Sequence, residues 1–257
     1  MTDVTTAPAT RPEIVKLDLG DLWAALALGW RDFRAAPGFG LFFGGFYAVA
    51  GIAMIVLGAG TVSWTLATSL GFPLVAPFAA VGLYDVSRRL EQGRPLDWRA
   101  VLGVVWSERS RQIPWIGGLI VIYFLFWTFL AHMIFALFLG LNPMAKVGNV
   151  FELLLSSNGL TMLAVEFVVG GVLAFLLFAL TCMSLPMLLE RELDFVTAMI
   201  LSVQCVVKNT AVLFAWGVIV ATLSLIGMVP LFLGLCVVLP VLGHATWHLY
   251  RRTLIWA

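Results

Sequence analysis

The sequence predicts an all-α fold: a polytopic membrane helix bundle of six transmembrane helices, with amphipathic helices at the bilayer surface. Three observations predict it. Of 257 residues, 61% are hydrophobic and 11% are charged, whereas soluble domains carry about a quarter charged residues. No Asp, Glu, Lys, Arg or His occurs from Ala35 to Tyr84 or from Asn209 to Gly243. As single helices those runs would be about 75 and about 50 Å long, against about 30 Å of hydrocarbon, so each must fold back as a hairpin. Finally, the basic residues sort to one side of the arrangement that results.

Spans are expected at about 38–60, 62–84, 114–139, 159–185, 209–228 and 230–249, each long enough for a bilayer. Arg11, Lys16, Arg31 and Arg34 then precede the first span, and six arginines from Arg88 to Arg111 lie between the second and third. Arg191 and Lys208 separate the fourth from the fifth, and Arg251 and Arg252 follow the sixth, which leaves Lys146 alone on the opposite side. By the positive-inside rule the crowded side is cytoplasmic. The expected location is therefore a bacterial cytoplasmic (inner) membrane, with both termini in the cytoplasm.

Ahead of each hairpin sits an amphipathic segment. Asp21-Leu22-Trp23, Asp97-Trp98-Arg99 and Asp194-Phe195-Val196 can be laid over one another, each opening on an N-cap candidate. Leu22, Leu26, Trp30 and Phe33 recur at helical spacing, as do Trp98, Leu102, Val105 and Trp106, with arginines on other faces. These read as interfacial helices. At one offset Asp21, Ala25, Leu28 and Gly44 fall on Asp194, Ala198, Leu201 and Gly217. At an offset ten shorter, Pro77 through Arg89 falls on Pro240 through Arg252. The expected organisation is a disordered cytoplasmic N-terminus over 1–16 and a single transmembrane domain over 17–257. That domain comprises three parallel units of about 18–90, 95–190 and 192–253; parallel repeats occur among transporters, beside the inverted kind.

Several classes are excluded. A net charge of +1 without basic-aromatic clusters gives no nucleic-acid surface. Cys182, Cys205 and Cys236 are too scattered for a disulfide framework or a zinc knuckle. The first 36 residues lack the apolar core of a secretory signal. Neither a phosphate-binding Gly-x-x-x-x-Gly-Lys loop nor a Gly-x-Ser-x-Gly elbow is present, so an enzyme reading is weak, and no cofactor or metal is expected.

Glu166, inside the fourth span between Val165 and Phe167, is the leading polar candidate: an ionised carboxylate there costs about 2.5–3.5 kcal/mol, so it must be neutral, paired or wetted. His132 in the third span sits at a similar depth, and a His132 to Glu166 contact exchanging one proton is the sharpest hypothesis. His244 and His248, four apart, share a face near the cytoplasmic end of the sixth span. Two ligands define neither a metal nor a haem site, and interfacial histidines are the favoured reading. Pro73 and Pro77 in the second span and Pro230 and Pro240 in the sixth break helical hydrogen bonding; packing is favoured over ligand coordination by the freed carbonyls. Gly40 and Gly44, Gly117-Gly118 and Gly170-Gly171 permit close helix approach. Trp30, Trp64, Trp98, Trp106, Trp115, Trp247 and Trp256 are expected as interfacial anchors. Arg88, Arg89, Arg251 and Arg252 set topology and can meet anionic lipid head groups.

Asp21-Leu22-Trp23, Gly29-Trp30-Arg31-Asp32-Phe33, Pro37-Gly38, Gly44-Gly45-Phe46-Tyr47, Pro73-Leu74-Val75-Ala76-Pro77-Phe78 and Gly82 through Arg89 resemble a known bacterial group. It is the family called domain of unknown function 2189, predicted integral membrane proteins of proteobacteria. The resemblance covers most of the chain after about residue 15. It implies the membrane class and no activity. Some members carry an oxidase-subunit label, which this sequence does not support, having no set of buried histidines to hold haem and copper. The function expected is that of a non-enzymatic binding, assembly or scaffold component, its partners the lipid bilayer together with a membrane protein or a second copy. The alternative is a small-solute or proton-linked transporter or channel using Glu166 and His132.

Overall fold

The computed structural model describes residues 12–56, 62–140 and 150–256, with the backbone alone for Met54, Ile55, residues 62–75, Val150 and Phe151. Lys146 and the first eleven residues lie outside the described residues, as do the side chains of Trp64 and Pro73. In chain order the elements are β1 (Glu13–Ile14), α1 (Leu19–Ala35), α2 (Pro37–Val56), α3 (Val62–Glu91), α4 (Trp98–Glu108), α5 (Ile113–Leu139) and α6 (Val150–Leu155). They continue with α7 (Ser157–Thr181), α8 (Ser184–Glu190), α9 (Phe195–Lys208), α10 (Thr210–Met228), α11 (Leu235–Thr253) and β2 (Leu254–Ile255).

The all-α class is as expected, and the long helices follow the expected spans with three informative differences. First, α3 runs to Glu91, seven residues past the expected end, because Asp85 pairs along the helix with Arg88 and Arg89. Second, the fourth span breaks at Cys182 and Met183, where Pro186 supplies no backbone N–H to the turn before it. Ser202 of α9 repairs the break: its hydroxyl accepts from the Met183 N–H (3.1 Å) and donates to the Ala179 carbonyl (2.7 Å). Third, Pro230 does not belong to the last helix. Residues 229–234 form turns in which Leu231 and Phe232 take positive φ (50° and 64°), and α11 starts only at Leu235.

Among the described residues three helices are long and apolar enough to cross a membrane: Ile113–Leu139, Ser157–Glu190 and Thr210–Met228. The pair formed by α1 and α2, bent by 103° at its joint, makes a fourth if counted as one span. Only 11%, 6% and 17% of the most apolar stretch of the three is buried. Side chains such as Phe129 (66% exposed) and Phe167 (83%) therefore project outward, as expected where lipid tails are the solvent.

The three amphipathic helices are present. Asp97 and Asp194 cap α4 and α9 through the N–H groups of Ala100 (3.3 Å) and Thr197 (2.9 Å). For α1 the cap is Asp18 rather than Asp21. The two aspartates form a reciprocal box, each carboxylate accepting from the other's N–H at 3.0 Å. The buried stripe of α1 is also rotated from the apolar stripe that the sequence shows: Leu22, Ala25, Gly29, Asp32 and Phe33 face inward while Trp23 and Trp30 are exposed. The cause is Gly29, whose missing side chain lets α1 lie directly on α11; an added Cβ would stand 2.6 Å from the Val241 carbonyl oxygen and 2.7 Å from the Ala245 nitrogen.

The chain ends close on each other. β1 and β2 pair antiparallel, Glu13 opposite Ile255 and Ile14 opposite Leu254. Asn209 then holds the entering chain, its Oδ1 accepting from the Leu17 N–H (2.7 Å) and its Nδ2 donating to the Val15 carbonyl (3.0 Å). Residues 12–16 are thus ordered, not part of a disordered tail, because both termini bring their backbone groups to one place and satisfy them there.

Candidate functional site

Two regions carry ionisable groups in the apolar frame. At the end of the bundle where α1, α3 and α11 meet, Asp32, Ser87, His244 and His248 are all at least 90% buried. His248 donates through Nε2 to Asp32 Oδ2 at 2.6 Å, and Ser87 Oγ lies 2.8 Å from His244 Nδ1. Ser87 also helps to hold the charge of Asp32, so the four side chains make one buried cluster built on two hydrogen-bonded pairs, His244 with Ser87 and His248 with Asp32. The buried Nε2 of His244 has no hydrogen-bond partner. Burial alone would raise the Asp32 carboxyl, but the hydrogen bond and charge of His248, with hydrogen bonds from Ser87 and Arg31, hold it below the ordinary carboxylate range.

Helical geometry explains the convergence. His244 and His248 stand one turn apart on α11, Asp32 lies on the stripe of α1 that Gly29 brings against α11, and Ser87 ends the buried face of α3. The two histidines are therefore core residues rather than interfacial ones. Beside them Asp85, fully buried, receives Arg88 at 2.5 Å and Arg89 at 2.6 Å. Arg88 also donates to the Leu189 carbonyl (3.0 Å). Arg251 bridges Glu91 (3.2 Å) and Glu190 (2.8 Å), Tyr250 donates to Glu190, and Arg252 reaches Asp21 at 2.8 Å. All four arginines named for lipid head groups are thus engaged in ion pairs, and Arg88 and Arg89 point mostly inward. Trp247, expected at the interface, is fully buried and donates to Glu91 at 3.0 Å. Trp30, Trp98, Trp106 and Trp115 are exposed as anchors should be, and Trp256 is half-buried, donating to the Tyr250 hydroxyl. Pro240 lies inside α11 and is buried, its ring near the Gly40 α-carbon; Pro77 is buried in α3.

The second region is the one singled out in the sequence. Glu166 is half-buried and lines a groove of about 170 Å³ between α5 and α7, together with Trp127, Leu130, Ala131, Ile134, Val169 and Gly170. Among the described residues it has no hydrogen-bond or ion-pair partner. His132 is exposed on α5 and donates through Nδ1 to the Thr128 carbonyl one turn back (2.7 Å). The structure does not join the two side chains by a hydrogen bond or an ion pair, although it does put them at one level.

Asp32, Ser87, Asp85, Glu91 and Glu190 were missed by sequence reasoning. One signal was available: at spacings of three and four, Asp32 continues the stripe of Leu22, Ala25 and Gly29, and a carboxylate on an inward face requires a partner. Among the described residues no group of three His, Cys, Asp or Glu side chains could hold a metal ion.

Residues 65–190 match the model of the family described as predicted integral membrane protein, DUF2189. Searches among curated proteins and among solved structures find no match.

Proposed function

We propose that this chain, matching the DUF2189 family of predicted integral membrane proteins, is a non-enzymatic binding, assembly or scaffold component of a bacterial cytoplasmic membrane. The observation that carries the reading is what surrounds Glu166: a groove between α5 and α7 that is otherwise lined, among the described residues, by apolar side chains, Trp127 and Gly170, and not by a succession of polar groups. A transporter needs polar groups in succession across the membrane. A component that recognises neighbours needs its polar specificity on the lipid-facing side, where an interhelical hydrogen bond forms on association.

Two further features favour it. The buried cluster around Asp32 is closed off and largely satisfied, which suits a rigid support rather than a site that exchanges ligands. The apolar faces of α5, α7 and α10 are exposed over most of their length. In this reading α2, α3, α5, α7 with α8, α10 and α11 are the six spans. The end bearing α1, α4, α9 and both termini lies in the cytoplasm, where its arginines belong. Three parallel units are supported by the recurring capped helix before each hairpin. The matched glycines do differ in role: Gly44 touches the Leu235–Cys236 backbone, whereas Gly217 has only Phe178 nearby, 3.9 Å from an added Cβ.

The test is reconstitution of the purified protein into liposomes with a pH gradient or a solute load, beside gentle isolation of the protein from native membranes. The assembly reading expects a stable complex and no Glu166-dependent flux. Flux that disappears with Glu166→Gln would replace it with the transport reading.

A further inference from the structure

We infer that the chain self-associates head to tail in the membrane, His132 of one copy meeting Glu166 of the next. This deepens the assembly reading above and rests on it, the partner now being a second copy of this chain.

The argument starts from two polar groups at the same depth. Leu130, Ala131 and Ile134 line the Glu166 groove, so position 132 lies within one helical turn of Glu166 along the helix axis, about 5 Å. Their directions differ, however. At about 100° per residue, position 132 points about 100° away from 131 and about 160° away from 134, out of the groove and across α5. That is why the chain cannot close the pair within itself, and why the imidazole is exposed.

The free valences match. With Nδ1 donating to the Thr128 carbonyl, His132 turns Nε2 outward. The Glu166 carboxyl has no partner among the described residues, and leaving it unpaired in lipid is costly. One proton shared between Nε2 and the carboxyl satisfies both groups, whichever of them carries it.

Symmetry does the rest. Rotation about an axis along the membrane normal keeps every residue at its depth, so in a ring of identical copies each His132 stands level with each Glu166. Because imidazole and groove face different sides of the molecule, the contact is heterologous and closes by forming a ring rather than an isologous pair. Next to the groove, Gly171 has nothing within 4 Å of an added Cβ, which leaves room for a neighbouring helix to come close.

The test uses full-length protein in native membranes, with Cys236→Ser as background because Cys182 and Cys205 are buried. Two differently tagged copies are co-expressed, one with His132→Cys and one with Glu166→Cys, and the membranes are oxidised. The expected product is a disulfide-linked species carrying both tags. It should be strongly diminished when the exposed Val168 is exchanged for cysteine in place of Glu166. Absence of the mixed species, or its equal formation with Val168→Cys, overturns the inference. Should the cysteine variants fail to accumulate, His132→Ala and Glu166→Gln are compared for self-association in mild detergent. Each should weaken it about threefold to tenfold, the range of an interhelical hydrogen bond, and no change would again overturn the proposal. If a photoreactive group at position 166 captures only another membrane protein, self-pairing fails while the assembly reading stands. Glu166-dependent flux would remove both.

Discussion

Carboxylates meet opposite fates in two regions of this molecule's apolar frame. Where α1, α3, α8 and α11 converge, Asp32, Asp85, Glu91 and Glu190 each face a donor from another turn or another helix. On α7, Glu166 stands in an apolar groove with no such donor among the described residues. The difference is one of neighbours rather than of residue type. A carboxylate withdrawn from water is tolerated inside a fold when its charge is met there, and one that is not so met becomes a demand on something outside the chain.

The largest expected effect follows from breaking the first region. Asp32→Ala should destabilise the purified protein by about 3–5 kcal/mol, since it leaves His248 buried without the carboxylate it pairs with. Thermal or denaturant unfolding in detergent reads this directly. In the same assay, on monomer, Glu166→Gln should leave stability unchanged or raise it, having no internal pair to break. Equal losses for the two substitutions would erase the distinction drawn here.

Glycines give the next contrast. Gly29→Ala places a methyl against backbone atoms of α11 and should cost about 1–3 kcal/mol. Gly171→Ala enters open space and should cost nothing, with a gain of up to about 1 kcal/mol from helix propensity.

Acid separates two buried carboxylates whose pKa values are shifted in opposite directions. The Asp32 pKa is lowered in the folded state. Its contribution to stability is therefore complete above the ordinary aspartate value of about 3.9 and is lost as pH falls through the folded value. Glu108 is raised, burial outweighing the nearby Arg111. Its ionisation opposes folding above the ordinary glutamate value of about 4.3, and acid relieves that penalty. A stability curve measured downward from pH 6 should therefore fall less steeply at its acid end in Asp32→Asn, and should lose its Glu108 component in Glu108→Gln. The smallest loss belongs to the caps: Asp97→Ala should cost about 1 kcal/mol, read as a lowered midpoint, because only the Ala100 N–H loses its acceptor.

The membrane class, the long helices and two of three caps were legible because they depend on local sequence: uncharged runs, period, and Asp before an apolar stripe. The break at Cys182 was harder to see, since Pro186 gives a hint but the group that heals the gap, Ser202, comes from another helix. Long-range pairing was invisible for the same reason. Nothing near Asp32 announces His248, more than two hundred residues away, and the apolar stripe of α1 put Trp30 beside Leu22 and Phe33 because hydrophobicity alone cannot tell a lipid-facing side from a packed one. Glu166 and His132 were found by the simplest rule, charge within an apolar run. Their orientation on α5 and α7 required the structure.

Everything turns on whether the charged end and the start of α7 stand on opposite faces of a bilayer. Gln92→Cys, in the turn after α3, and Asn158→Cys, at the start of α7, are both exposed and can be labelled in intact cells with a membrane-impermeant maleimide. The expected result is reaction at position 158 in intact cells and at position 92 only after lysis. Labelling of both from the same side, or recovery of the chain in the water-soluble fraction, would contradict the account.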